Sequence, residues 1–467
     1  ALSAGEVWNF FEQQLNYPIT QLTYAQLSRI DLDRYDVLIA PDGQYRDLNS
    51  KSNTDKLQAF VRKGGVLIAL ENAASTLASN ADWGIRIKEN AKEEKPSVQK
   101  LLKYADREKE SLKSSIPGAI YKTYMDETHP LGFGTNGTYF SVWAPNATAV
   151  FVLGNFNNWN NQAHPLKVRL DHSGIWEGFI PNIAQGEVYK YHIHGFKDVR
   201  LDKADPFAHY AELRPLTASI TWQTAYDWKD AAWMEKRKVV NQINQPYSVY
   251  EVHLASWMRP NKNDEQSYNS YAQLITLLVP YVKEMGFTHV ELMPVMEHPF
   301  DGSWGYQGTG FFAPTSRFGN PQQFAALVEA FHAENIGVIL DWVPSHFPYD
   351  AHGLYMFDGA NTYEYADMRK GFHPDWNSYI FNYKRGEVKS FLISSARFWC
   401  DQFHIDGLRV DAVSSMLRLD YSREEGQWDP NEFGGNGNIE AIAFIKDLNE
   451  TLYRDFPAIQ TIAEEAS

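Results

Sequence analysis

One cysteine, Cys400, stands in 467 residues. A single thiol excludes an internal disulfide and any cysteine-rich metal site, and it favours a reducing, cytoplasmic compartment. Positive charge is also scarce: 43 Lys+Arg face 58 Asp+Glu, a formal net charge of -15. Such a surface repels phosphate backbones and anionic membranes, and no basic run offsets it, so neither nucleic acid nor membrane is expected as a partner. No apolar stretch approaches the roughly 18 residues of a membrane span, and residues 1–10 lack the basic-then-apolar layout of a signal peptide. The chain does not open on Met and stops within an apolar-then-acidic run, so it reads as part of a longer protein. What is plentiful is aromatic: 14% of residues, with 14 Trp and 26 Tyr. Flat rings serve either large cores or the apolar faces of sugars, and composition leaves both open.

At 44% hydrophobic and 22% charged residues the chain is globular, with length for two to four domains. Residues 1–95 carry short β-rich runs, Tyr35-Asp-Val-Leu-Ile-Ala-Pro41 and Gly65-Val-Leu-Ile-Ala-Leu70, with helical or amphipathic stretches at 7–15 and 55–62 and an extended piece at 19–22. That alternation predicts a doubly wound, flavodoxin-like parallel sheet. Residues 96–135 form a charged linker or continuation. Residues 136–228 turn all-β, with strands expected at 138–143, 149–153, 174–180 and 188–193 between Asn, Gly and Pro turns, which predicts a small β-sandwich. From 229 to 467, apolar strands at 248–254, 289–295, 337–343, 407–413 and 460–464 alternate with helices at 271–285, 321–335, 387–403 and 439–456. This pattern predicts a (β/α)8 barrel that is incomplete, with about five strands.

Barrels of this kind place reactive groups at the carboxyl ends of their strands. Asp341, Asp411 and Glu464 fall at the ends of the third, fourth and fifth expected strands, with Arg409 two residues before Asp411 and His346 in the loop after Asp341. Any one strand-end acid can cap a helix or pair with an arginine. Three on neighbouring strands fit glycoside cleavage, which needs one carboxylate to attack or stabilise the sugar carbon and one carboxyl to protonate the leaving oxygen.

These residues lie in strings that resemble known families. Asp341-Trp-Val-Pro-Ser-His346, Gly407-Leu-Arg-Val-Asp-Ala-Val413 and Thr461-Ile-Ala-Glu-Glu465 resemble the first three signature regions of the α-amylase superfamily. Gly302-Ser-Trp-Gly-Tyr-Gln307 and Asn431-Glu-Phe-Gly-Gly435 are similar to the glycogen branching enzymes within it. Val142-Trp-Ala-Pro-Asn146 and Gly154-Asn-Phe-Asn-Asn-Trp159 resemble the family 48 carbohydrate-binding module, where Trp159 and Trp176 either stack on glucose or pack the sandwich. The β-rich runs of residues 1–95, continued by Ser114-Ser-Ile-Pro-Gly-Ala-Ile-Tyr121 and His129-Pro-Leu-Gly-Phe-Gly134, resemble the amidotransferase-like domain of bacterial zinc carboxypeptidases, although no cysteine precedes Cys400 to act as the nucleophile.

The branching-enzyme resemblance implies a retaining transglycosylase acting on α-glucan (glycogen, amylose), with Asp411 as nucleophile and Glu464 as acid and then base. It implies substrate contacts from Tyr306, Asp341, His346 and Arg409, the last holding Asp411 ionised, with Glu465 the weaker acid candidate. A hydrolase of the same superfamily and a non-catalytic glucan-binding protein are the alternatives. The superfamily's fourth signature, a later His-Asp pair, has no counterpart up to Ser467, so the chain alone is expected to show little activity. No cofactor or metal is expected. Ser345 stands where calcium-dependent amylases usually have Asn, His209-Tyr-Ala-Glu212 lacks a third ligand for zinc, and no glycine-rich phosphate loop follows a strand.

Overall fold

A computed structural model describes residues 137–264 and 266–464, most of 29–80, and a few isolated positions nearby. The chain divides into two compact units, residues 1–103 and 104–467. In the first, β1 (Val37–Ala40) pairs in parallel with β2 (Val66–Ala69), joined through α1 (Lys51–Arg62) and followed by α2 (Asn72–Ala78). Leu57 and Phe60 sit three apart, so both fall on one face of α1, where they bury with Leu32, Leu48 and Leu77. This is the β-α-β unit the sequence predicts. The expected elements at 7–15 and 19–22, and the strings that extended the amidotransferase-like resemblance, lie outside the described residues.

The second unit opens with the sandwich. One sheet joins β3 (Gly137–Trp143), β6 (Ile175–Pro181) and β5 (Lys167–Val168). The other is built on β4 (Ala149–Gly154) and β7 (Val188–His194), with β8 (Arg200–Lys203), β9 (Tyr210–Ala211) and β10 (Ser219–Ile220). Alternate residues point inward, as period two requires: Val150 and Val152 from β4 meet Tyr189, Tyr191 and Ile193 from β7, and Phe140 packs edge-on to Tyr189 with ring centroids 5.0 Å apart. Buried Lys203 donates from Nζ to the carbonyls of Ala351, Gly353 and Tyr355 at 2.7–3.2 Å. Asn146 donates from its backbone N–H to Asp358 Oδ2 at 2.7 Å. The sandwich is thereby tied to a loop of the larger sheet.

That sheet is parallel, in the order β11 (Val249–Val252), β12 (His289–Leu292), β15 (Gly337–Trp342), β19 (Gly407–Val410), β20 (Gln460–Ala463). The helices α3 (Ala231–Val240), α4 (Tyr271–Glu284), α5 (Pro321–Ala333), α6 (Met368–Gly371), α7 (Gly386–Gln402), α8 (Val413–Leu417) and α9 (Ile439–Asp455) lie before and between its strands. Two helices start on reciprocal capping boxes, Ser270 with Gln273 and Asn320 with Gln323, each of which satisfies N–H groups the first turn leaves free. Every residue of β12 and β15 is buried, the mark of strands covered on both faces. Small sheets decorate the loops: β13 (Met296–Glu297) with β14 (Gly310–Pro314), and β16 (His346–Phe347) with β18 (Ser378–Ile380) and β17 (Phe372–His373).

A buried ionic cluster joins the amino ends of β15 and β19. Asp406 Oδ2 accepts from the Val338 N–H at 2.7 Å and faces His332 Nε2 at 2.9 Å, while Asp406 Oδ1 accepts from Trp233 Nε1 at 2.9 Å. His332 Nδ1 in turn faces Asp230 Oδ2 at 2.9 Å. A neutral imidazole has one donor, and two carboxylates ask for two. Burial disfavours the charged ring, but Asp406 and Asp230 outweigh it and the His332 pKa is raised, whereas that of Asp406 is lowered. The His332 contribution to stability is therefore present below the unfolded histidine pKa and lost as pH rises through the folded value. The Asp406 contribution runs the other way and is lost in acid. Arg237 Nη1 lies 3.3 Å from Asp406 Oδ1, and Asp406→Ala, which leaves that buried guanidinium without its carboxylate, is expected to cost about 3–5 kcal/mol in denaturant unfolding.

Candidate active site

The carboxyl ends of β15, β19 and β20 bring the expected acids to one edge of the sheet. Register pairs Asp341 with Arg409 across β15 and β19, and Val410 with Ala463 across β19 and β20, so Asp411 and Glu464 each come one residue after paired neighbours. Their backbones are pinned, with the Asp411 N–H bonded to the Trp342 carbonyl at 3.0 Å and the Glu464 N–H to the Val410 carbonyl at 2.9 Å. Ala412 then turns with φ 57°, a left-handed conformation that costs a non-glycine residue energy. The turn aims the Ala412 N–H at Glu464 Oε2, 3.0 Å away, and so fixes that carboxylate beside Asp411.

Arg409 ties the cluster together. Its Nη1 donates to Asp341 Oδ2 at 2.7 Å and to Asp411 Oδ1 at 3.2 Å, and its Nε lies 3.7 Å from Glu291 Oε1. Tyr306 donates its hydroxyl to the same Asp341 Oδ2 at 2.7 Å. Asp341 Oδ1 is buried with no hydrogen-bond partner among the described residues, an acceptor without a donor. Tyr306 is presented by a loop that turns at Gly305, whose φ is 95°; a Cβ there would meet the Pro294 carbonyl oxygen. His346 is buried in β16, close to the Tyr306 backbone, with Nδ1 2.7 Å from Ser345 Oγ and its ring 5.1 Å from that of Trp376. Burial holds its pKa down at about 3, which keeps the ring neutral.

Negative charge exceeds what one guanidinium can offset. The Asp411 carboxyl is pushed up to about 7 by burial and by Asp341, with Glu464 adding to the rise; Arg409 pulls it down without cancelling them. Arg409 acts on Asp411 in the expected direction, while burial and two neighbouring carboxylates oppose that one cation. Glu291 also rises to about 7, through burial first and then Asp341.

All six residues singled out from the sequence lie in this network or against it; Glu465 lies outside the described residues. Sequence reading passed over Glu291, although a carboxylate inside the apolar run His289-Val-Glu-Leu-Met293 was a signal. It also passed over Trp376, which stacks on His373 at 3.7 Å, an arrangement that the β17–β18 hairpin creates. In the sandwich, Trp159 is 41% exposed, with Nε1 bonded to Asn155 Oδ1, whereas Trp176 is partly buried and donates to the Ala144 carbonyl. His209 stacks on Phe398, and Glu212 accepts from the Ala218 N–H. No cluster of three or more His, Cys, Asp or Glu able to hold a metal occurs among the described residues. Nor is any helix there long and apolar enough to cross a membrane.

Known proteins are similar to this chain in sequence and in fold. Residues 127–208 match the carbohydrate-binding module 48 (isoamylase N-terminal domain) family, and residues 272–373 match the alpha amylase catalytic domain. The 1,4-alpha-glucan branching enzyme GlgB of Aromatoleum aromaticum is 55% identical over 331 residues, 71% of this chain and 52% of its own length. That of Aquifex aeolicus is 55% identical over 334 residues, 72% of this chain and again 52% of its own length. The chain thus spans about half the length of the curated relatives it matches. Among solved structures, a putative alpha amylase from Salmonella typhimurium aligns with a TM-score of 0.53 at 19% identity, over 73% of this chain and 49% of that one. A GBS pullulanase in complex with maltotetraose aligns with a TM-score of 0.53 at 18% identity, over 73% and 45%. Over the stretch that carries the amylase-type sheet and the carbohydrate-binding sandwich, the chain is about half identical to the glycogen branching enzymes of the α-amylase superfamily.

Proposed function

We propose that this chain carries the donor half of a 1,4-α-glucan branching site, a retaining transglycosylase that cleaves an α-1,4 linkage and re-forms it as an α-1,6 branch. The observation that carries the reading is the single fork of Arg409 between Asp341 and Asp411, with Glu464 held next to Asp411 through the Ala412 N–H. In the first half-reaction an Asp411 oxygen bonds to the anomeric carbon as the C1–O4 bond breaks, and Glu464 delivers its proton to O4. In the second, the Glu464 carboxylate takes the proton of an acceptor 6-hydroxyl, O6 bonds to C1, and Asp411 leaves; two inversions retain the α configuration. The buried, partnerless Asp341 Oδ1 is suited to accept a hydroxyl of the glucose being cleaved, with Tyr306 and His346 lining the same subsite. Exposed Trp159 offers a ring to a glucan chain at the sandwich.

The domain reading goes with it: 1–95 as a flavodoxin-like domain, 96–135 as a linker or continuation, 136–228 as the binding sandwich, and 229–467 as barrel, its five parallel strands read as strands one to five. A cytoplasmic setting accords with the lone buried thiol, Cys400.

In a branching enzyme that carries this stretch together with the superfamily's later His-Asp signature, iodine staining of amylose should fall with few new reducing ends, whereas reducing ends rising in step indicate hydrolysis. Glu464→Gln is expected to slow the reaction by about 10²–10⁴-fold. The electrostatics give a second prediction. Asp411 must lose its proton to attack, so activity should rise with pH through about 7 on its acid side. Glu464→Gln removes one of the charges that raise Asp411, and carbon-13 NMR titration of the Asp411 carboxyl should show its pKa falling; an unchanged or higher value refutes the coupling.

A further inference from the structure

Glu291 is an acid of the site that the two half-reactions above do not use. It stands on β12, two strands from β19, and the Arg409 side chain approaches it across the inner face of β15. Register shows what lies between. Glu291 pairs with Ile339 on β15, and Asp341, the next residue on the same face of that strand, pairs with Arg409 on β19. On its other side Glu291 pairs with Glu251 of β11, whose neighbour Tyr250 packs on Tyr281 and Phe287, so Glu251 points to the inner face as well. Inner faces of parallel barrels are normally filled by Val, Ile and Leu. A carboxyl only 8% exposed there carries a desolvation cost that an apolar side chain would not. Stability alone gives no reason for it.

Arg409 supplies one. Its hydrogen bonds to Asp341 and Asp411 both leave from a single nitrogen, Nη1, at 2.7 and 3.2 Å. A guanidinium held through one nitrogen pivots about it, and its planar fork is fixed only when a second edge is engaged. That second edge is Nε, 3.7 Å from Glu291 Oε1, a separation at which opposite charges attract without a hydrogen bond. The groups that face Glu291 are Tyr247 and Glu251 from the β11 side, Asp341 from β15 and Arg409 from β19. Burial and then Asp341 raise its proton affinity to about 7 against the pull of Arg409, so near neutrality Glu291 and Asp411 draw on the same guanidinium. We propose that Glu291 is a positioning residue for Asp411: it steadies the Nε edge of Arg409, which keeps Nη1 on Asp411, and its charge competes with Asp411 for that one cation. The proposal rests on the branching reading above and adds a residue to its site.

Glu291→Gln keeps the shape and an acceptor oxygen and removes the charge. Carbon-13 NMR titration of the Asp411 carboxyl in the full chain should then show it losing its proton at lower pH, because Arg409 is left to fewer acids. In a branching enzyme that carries this stretch together with the later His-Asp signature, the acid limb of kcat should move down with it. Glu291→Ala, which also removes the acceptor, should there lower kcat about 10–100-fold with little change in KM. A role in folding alone would lower the melting temperature of the Ala variant and leave the Gln titration where it was. An Asp411 carboxyl that titrates at the same or a higher pH in the Gln variant overturns the proposal. Failure of that enzyme to branch amylose with Glu291 intact removes the branching reading instead, and the titration still decides the coupling.

Discussion

One guanidinium, that of Arg409, faces Asp341 and Asp411 directly and Glu291 at longer range, and the rest of the site is arranged around that imbalance. A partly buried cation shared among several carboxylates cannot neutralise them all, so protons are retained near neutrality and the carboxyls act as a coupled set. The coupling keeps Asp411 poised between its two forms. It also accounts for the depth of support beneath the site: backbone hydrogen bonds lock the ends of β19 and β20, and a left-handed Ala412 is tolerated because its N–H secures Glu464. Local strain of this kind survives only where the surroundings over-determine it.

The opposite end of the sheet solves a related problem with matched charges. There His332 lies between Asp230 and Asp406, and Arg237 stands 3.3 Å from Asp406, so buried acids meet nearby cations and the cluster is a fastening for β15 and β19. One end of the parallel strands is stabilised by satisfied charge, while the other holds charge in excess. This division is the usual one for α/β barrels, where the amino ends serve stability and the carboxyl ends serve chemistry. The sandwich contributes to the second end from outside, since Lys203 and Asn146 clamp the loop that follows β15.

Much of this was readable from residue order. The four long strands of the sandwich, β3, β4, β6 and β7, and the five parallel strands fall within a few residues of where alternation and apolar runs put them, because each is a local pattern of burial. Capping boxes and the acids at strand ends are local signals as well. The pairs β13 with β14 and β16 with β18 were not readable, since β13, β16 and β18 have only two or three residues each and exist only when a partner supplies their hydrogen bonds. The helix α3 was also missed: its buried residues Trp233 and Arg237 reach Asp406, far along the chain.

The order of residues by itself determined the alternation of elements, the excess of acid, and which carboxylates stand at the ends of neighbouring strands, because those features depend on spacing along the chain. Only the tertiary structure decided how those carboxylates share one arginine, that Glu291 joins them, and that Asp411 is raised toward neutrality. Proton affinity depends on burial and on charges a few ångströms away, and those distances come from strands brought side by side, tens of residues apart in sequence.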